Sequence, residues 1–249
     1  MVGRRASGVA TFFCDDPLEA GRVAELGESE AHHVRVRRLE AGTHVRLVNG
    51  AGTVAPGTLE RVTKASASVE VEDAAQVPRP AAIHLLAPIG DRDRMLWLGE
   101  KATELGLTSW RGILWQRSRG VSPRGEGEAF HAKLRTRMIL ALTQSGGAWL
   151  PDVLPDAHLE EIIETSAPGA WFLLDGAGAP ILSSSVTAPL TIAVGPEGGL
   201  EDGEREKMIA AGWLPVSLGA TTLRFETAGT AALAIARAAF AANVESARG

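Results

Sequence analysis

Between Leu190 and Ala232 the chain twice runs a short apolar segment straight into a glycine turn. Leu190–Val194 empties into Gly195-Pro196-Glu197-Gly198-Gly199, and Pro215–Leu218 into Gly219-Ala220. Runs this short, bounded by turn residues, read as buried strands. Two strand ends that empty side by side into glycine turns make a ligand crevice at the carboxyl edge of a sheet. The second turn leads through Leu223-Arg224-Phe225-Glu226-Thr227-Ala228 into an alanine-rich helix expected over Glu226–Ala242.

The preceding chain extends this pattern back to about residue 81. Ile83–Ile89, Ile113–Trp115 and Trp171–Leu174 read as strands, and Asp93–Leu105, Ala129–Thr143 and Glu201–Ala211 as helices. Met95, Leu98, Ala102 and Leu105 fall on one side of the first helix, and Gly106 stops it. Gly120–Gly127 is a polar loop. Alternating strands and helices predict an α/β domain over 81–249 with a largely parallel sheet. Thr11–Val77 differs. Val45–Val48, the Asn49-Gly50 turn signal, Thr58–Val62 and Ser68–Val71 read as short strands of a small barrel, with a short helix over Glu28–Arg38. Residues 1–8 read as a basic tail, and Gln76–Pro80 as the boundary.

Composition excludes several classes. The single cysteine, Cys14, allows no disulfide framework within the chain and no multi-cysteine zinc site, and suits a reducing cytoplasm. The run Val9–Phe13 after Arg4-Arg5 is too short for an export signal, and Asp15-Asp16 closes it. No run approaches the roughly 20 apolar residues that span a bilayer. Net charge is −5, unevenly spread: residues 81–147 hold 10 Lys and Arg against 6 Asp and Glu, whereas 148–249 hold 5 against 13. A basic middle is either a nucleic-acid footprint or a set of solvated helix faces.

The common ligand loops are missing: neither G-x-G-x-x-G nor G-x-x-x-x-G-K-[ST] occurs, and Ser145-Gly146-Gly147 lacks the nucleophile elbow. Adjacent His32 and His33 suit no shared metal, so no metal is expected. Alone, Gly195–Leu200 is equally a plain strand-to-helix connection. Arg224 and Glu226, two apart before an apolar helix, either pair with each other or face a site.

Taken together, these motifs resemble the bacterial 16S ribosomal RNA uracil-N3 methyltransferases of the SPOUT superfamily. The resemblance is carried by Gly195–Leu200, by Leu218-Gly219, and by Leu223-Arg224-x-Glu226-Thr227-Ala228. Lys101–Gly106, Gln116-Arg117-Ser118, Gln144-Ser145-Gly146, and His33–Leu39 with Gly42 support it, over about Phe12–Phe240. It implies a PUA-like RNA-binding barrel (1–77) followed by a SPOUT domain (81–249), whose trefoil knot holds S-adenosyl-L-methionine in the loops Leu174–Gly178, Gly195–Leu200 and Leu218–Arg224. Leu174, Gly195, Pro196, Glu197, Gly198, Gly199, Leu218, Gly219, Leu223, Thr227 and Ala228 are the implied cofactor residues. No metal is implied, because the sulfonium supplies the leaving group.

The implied substrate is one uridine of the small ribosomal subunit's 16S RNA, and the implied acting form a cytoplasmic homodimer. Uracil N3 must lose its proton before it attacks the methyl group. Arg224 is the expected stabiliser of the resulting charge, and Glu226 the group that orients it or accepts the proton. Arg35, Arg37 and Arg38 in the barrel, and Arg92, Arg94, Arg117, Arg119 and Arg124 in the basic middle, are the expected phosphate contacts. The chain departs from the family in having Gly147 where Arg is usual, Thr143 where an acid is usual, and Phe225 where Thr is common. The alternatives are a ribose 2′-O methyltransferase of the same superfamily and a non-catalytic ribosome-assembly factor on the same fold.

Overall fold

The computed structural model describes residues 9–118, 123–165 and 168–246, without the side chains of 183 and 244–246. The basic tail (1–8) and residues 120–122 of the polar loop lie outside the described residues. Two compact units divide the chain: one runs to Arg79 and takes in Leu142–Leu150; the other holds Pro80–Ala141 and the chain from Pro151 on.

The first unit contains β1 (Ala10–Phe13), β2 (Val23–Leu26), α1 (Glu28–Val36), β3 (His44–Val48), β4 (Thr53–Val62), β5 (Ala67–Val71) and β6 (Ala75–Gln76). Its sheet runs β1-β3-β4-β5-β2, with β6 on β4. Phe12 of β1 and Leu26 of β2, at opposite ends of this order, share one buried cluster with Leu47, Leu59 and Val69. Only a curled sheet lets its outer strands meet in one core, and Ala31 and Val34 of α1 fill that core from the side. The Asn49-Gly50 turn forms because the Asn49 side-chain oxygen accepts from the Ala51 and Thr53 amides at 2.9 and 3.0 Å, mimicking a backbone turn. Leu142–Leu150 is tied in through Trp149, whose indole donates to the Val77 carbonyl at 3.0 Å beneath the Arg79 guanidinium.

The second unit contains β7 (Ile83–Pro88), α2 (Arg92–Glu104), β8 (Ser109–Leu114), α3 (Gly127–Ser145) as far as Ala141, β9 (Asp152–His158), α4 (Leu159–Thr165), β10 (Ala170–Pro180), β11 (Leu190–Val194), α5 (Asp202–Ala210), β12 (Leu214–Ser217) and α6 (Phe225–Ser246). The sheet order is β12-β10-β11-β7-β8-β9, and every pairing in it is parallel. Residues of α4 and α5 (Leu159, Ile162, Met208) join strand residues Leu86, Ile113, Leu173 and Ala193 in one core cluster. Helix α6 packs against α2 and the sheet. There Arg237 donates to the Leu105 carbonyl at 2.9 Å and to the Gly106 carbonyl, groups that the end of α2 leaves without helical partners.

Candidate functional site

A cavity of about 530 Å³ opens at the carboxyl ends of β10, β11 and β12. The two strands that carry the glycine turns are not neighbours, because β10 lies between them. The expected side-by-side pair is therefore a trio, and β10 contributes Leu174, Asp175 and Gly176 to the middle of the site. Leu174 and Ala179 both register with Val216 of β12, so the intervening residues of β10 bulge outward at the cavity.

Among the sequence-expected cofactor residues, Leu174, Gly195, Pro196, Glu197, Gly199, Leu218, Gly219, Leu223 and Ala228 line this cavity. Gly198 and Thr227 do not. A Cβ on Gly198 would come within 3.1 Å of the Arg117 Cβ, so that glycine faces Arg117. Thr227 is exposed because the helical period puts Phe225 and Ala228 on the cavity side of α6 and Thr227 on the other. Gly219 has φ +149°, a conformation that excludes a side chain without strain.

Asp175 and Arg205 also line the cavity, and sequence reasoning gave Arg205 no role. The Arg205 Nε donates to Asp175 Oδ2 at 2.6 Å, tying α5 to the β10 bulge. Burial alone pushes the Asp175 carboxyl up, but the Ala177 amide and Arg205 outweigh it and hold the group below the usual carboxylate range.

The turn after β11 closes through a 2.9 Å bond from the Gly199 amide to the Pro196 carbonyl, with Gly199 at φ +73°. Its outer side is held from two directions. Arg94, in the first turn of α2, pairs with Glu197. Arg117, just past β8, donates to the Gly198 carbonyl at 3.1 Å and lies 3.9 Å from Glu201. Alongside, the Trp115 indole donates to the Val194 carbonyl at 3.0 Å, and the buried Glu204 accepts from the Gln116 amide at 2.7 Å. Glu204 also accepts from the Glu201 amide at 2.9 Å, closing a capping box at the start of α5.

Neither expected catalytic residue lines the cavity. Arg224 is exposed at the start of α6, where its carbonyl accepts from the Ala228 amide at 2.9 Å. It stands between Leu223 and Phe225, which both line the wall. Phe225 is buried beside Gly90, and this anchors the first turn of the helix. Glu226 is half-buried, and its Oε2 is buried without a hydrogen-bond partner.

The expected phosphate contacts divide. Arg35, Arg37 and Arg38 are all exposed at the end of α1. Arg38 adopts φ 56°, closing the helix with bonds from its own amide to the Arg35 carbonyl (2.9 Å) and from the Leu39 amide to the Val34 carbonyl (3.1 Å). Arg94 and Arg117 face the Gly195–Leu200 loop, at Glu197 and Gly198. Arg92 is half-buried, with its Nε enclosed and unbonded, and Arg124 lies 3.1 Å from Glu126. Arg119 lies outside the described residues. Among the described residues no group of three or more His, Cys, Asp or Glu could hold a metal ion, and no helix is long and apolar enough to cross a membrane.

Known proteins share this fold. The RNA methyltransferase domain family matches residues 77–237, and the RNA methyltransferase PUA domain family matches residues 26–72. The α/β unit is thus an RNA methyltransferase domain, preceded along the chain by an RNA methyltransferase PUA domain. The ribosomal RNA small subunit methyltransferase E of Synechocystis is 30% identical over 84% of this chain and 71% of its own. Among solved structures, the ribosomal RNA small subunit methyltransferase E of Neisseria gonorrhoeae bound to S-adenosyl methionine has a TM-score of 0.83 at 25% identity, covering 92% of this chain and 97% of its own. A methyltransferase from Legionella pneumophila, solved with the cofactor SAM bound, has a TM-score of 0.85 at 26% identity, covering 93% and 98%. The chain belongs to the ribosomal RNA small subunit methyltransferase E family.

Proposed function

We propose that this protein transfers the methyl group of S-adenosyl-L-methionine to N3 of a uridine in 16S RNA of the small ribosomal subunit. The observation that carries the reading is the cavity at the ends of β10, β11 and β12, in a family with members solved holding that cofactor. Its lining suits the ligand. Apolar walls from Leu174, Val194, Leu218 and Leu223 match a nucleoside face, and bare backbone at Gly195 and Gly219 offers close hydrogen bonding. A volume of about 530 Å³ lies within the usual range for such sites.

The cofactor, when bound, supplies an electrophilic methyl group on a good leaving group. The protein's own residues supply placement and charge. Arg224, at the rim between two wall residues, stabilises the negative charge that spreads over the uracil carbonyl oxygens as N3 loses its proton. Glu226, with its unbonded Oε2 in the first turn of α6, orients Arg224 or takes that proton. Arg35, Arg37 and Arg38 hold phosphates of the RNA, and the target base leaves its stack to reach the cavity. The reading further includes the two domains expected from the sequence, the knotted SPOUT chain path, a homodimer as the acting form and the cytoplasm as its place.

Titration calorimetry with S-adenosyl-L-methionine tests the cofactor, and absence of heat with it and with adenosine analogues overturns the enzyme reading. Arg224→Ala is expected to abolish methylation of small-subunit RNA while leaving the melting temperature unchanged; full residual activity removes Arg224 from the chemistry. Mass mapping of small-subunit RNA from cells lacking the protein identifies the base, and a missing mark elsewhere than on a uridine N3 refutes the specificity.

A further inference from the structure

The arginines of the basic middle have a use that the charge pattern does not suggest. The loop from Gly195 to Glu201 forms one wall of the cavity, yet its outer side is bonded at several points by two short stretches of chain. Trp115, Gln116 and Arg117 are consecutive, and each makes a bond to this loop, its helix or the strand that leads into it. Trp115 holds the last carbonyl of β11. The Gln116 amide meets Glu204 of the capping box. Arg117 takes the Gly198 carbonyl and approaches Glu201. From the neighbouring strand end, Arg94 takes the carboxylate of Glu197.

We propose that Arg94 and Arg117 are positioning residues for the cofactor loop, with Trp115 and Gln116 as the fixed edge from which they reach. This deepens the methyltransferase reading and rests on it. Between buried Pro196 and Leu200, which packs on the core, the exposed stretch Glu197–Gly199 has little side-chain packing, so the chain entropy of its open forms must be opposed from outside. Glu197 and Gly198 are the two central residues of the turn, and each is held by one arginine. Gly198 also lacks the Cβ that would push the Arg117 stem away. Both arginines stay partly exposed, at 33% and 51% of the side chain, so each contact is individually modest and the pair acts together.

Hydrogen–deuterium exchange of the peptide spanning 195–204, in cofactor-free protein, reads the clamp without any reaction. In Arg94→Gln with Arg117→Met, exchange there is expected to speed up about fivefold, against little change in β7 and β8. The Kd for S-adenosyl-L-methionine is expected to rise about threefold for each single variant and about tenfold for the pair. Arg94→Lys and Arg117→Lys are expected to recover most of both effects, which a loss of packing alone would not allow. The coupling is read from Arg94→Gln and Glu197→Gln, singly and together, with the second change expected to add little to the first.

Wild-type exchange and wild-type Kd, combined with weaker RNA binding and a shallower salt dependence, overturn the proposal and make these arginines phosphate contacts. Should Arg117→Met fail to fold, the Arg94 and Glu197 variants decide alone, since both side chains are partly exposed. If the unaltered protein binds no cofactor, the methyltransferase reading falls, while the exchange comparison still decides the clamp.

Discussion

Glu204→Gln is the sharpest test of how the cavity wall is built. The Glu204 side chain is buried, at 7% exposure, and each oxygen takes one backbone amide: Gln116 at 2.7 Å and Glu201 at 2.9 Å. Glutamine keeps the shape but turns one acceptor into a donor that faces an N–H. The lost charge-assisted bond costs about 2 kcal/mol, and the surviving bond, now to a neutral oxygen, weakens by about 1 kcal/mol. The expected loss is therefore about 3 kcal/mol, which in a chain of this size lowers the melting temperature by roughly 6–12 °C. Differential scanning calorimetry measures it, with Glu206→Gln on the exposed side of α5 as the control, expected within about 0.5 kcal/mol of the parent. If Glu204→Gln melts within about 2 °C of Glu206→Gln, the two amides have other partners and the reasoning fails.

Two further outcomes follow from the site. The Asp175 carboxyl titrates below its ordinary value, so its contribution is complete above about pH 4 and disappears as the pH falls through the lowered pKa. Urea denaturation should thus show a constant stability gap between the parent and Asp175→Asn from about pH 8 to 5, shrinking only below about pH 4; a gap that widens on acidification contradicts the assignment. Arg38 occupies a left-handed conformation that costs a non-glycine residue about 1 kcal/mol, partly offset in a glycine variant by added unfolded-chain entropy. Arg38→Gly should therefore fold at least as stably, yet lose RNA affinity with a salt slope shallower by about one contact, and an unchanged slope makes Arg38 a bystander.

The strands that bear the glycine turns were legible because buried parallel strands are short apolar runs: Leu190–Val194 has the expected bounds, and β12 is shifted by one residue. Strand β9 was not. It carries Asp152, Pro155 and Asp156, has no alternation, and sits at the sheet edge beside an irregular register, where proline is tolerated. The Asp175–Arg205 clasp joins residues 30 positions apart on different elements, and nothing in local sequence announces such a pair. The bonds of Arg94 and Arg117 to the Gly195–Glu201 loop were not legible for a related reason. Charge in a sequence shows that a cation is present, but the direction it faces is set by which strand ends become neighbours. The same ignorance of strand order hid β10 between the two glycine-bearing strands.

That strand order also bears on when the protein becomes competent during synthesis. A chain emerging from its amino end can lay down β7, β8, β9, β10 and β11 in one sheet. The outer wall of the cavity arrives only when β12 docks beyond β10, and Phe225 and Ala228 close it with the first turn of α6. Nearly all of the chain must be made before any cofactor can be held. The long-range step comes earlier, when β11 pairs with β7, Leu190 opposite Ile83, across all of the chain from β8 to β10; that pairing has high contact order and is expected to be slow, whereas β12 docks on the nearby β10. Ligand binding then stabilises the finished fold without being able to template its earlier stages.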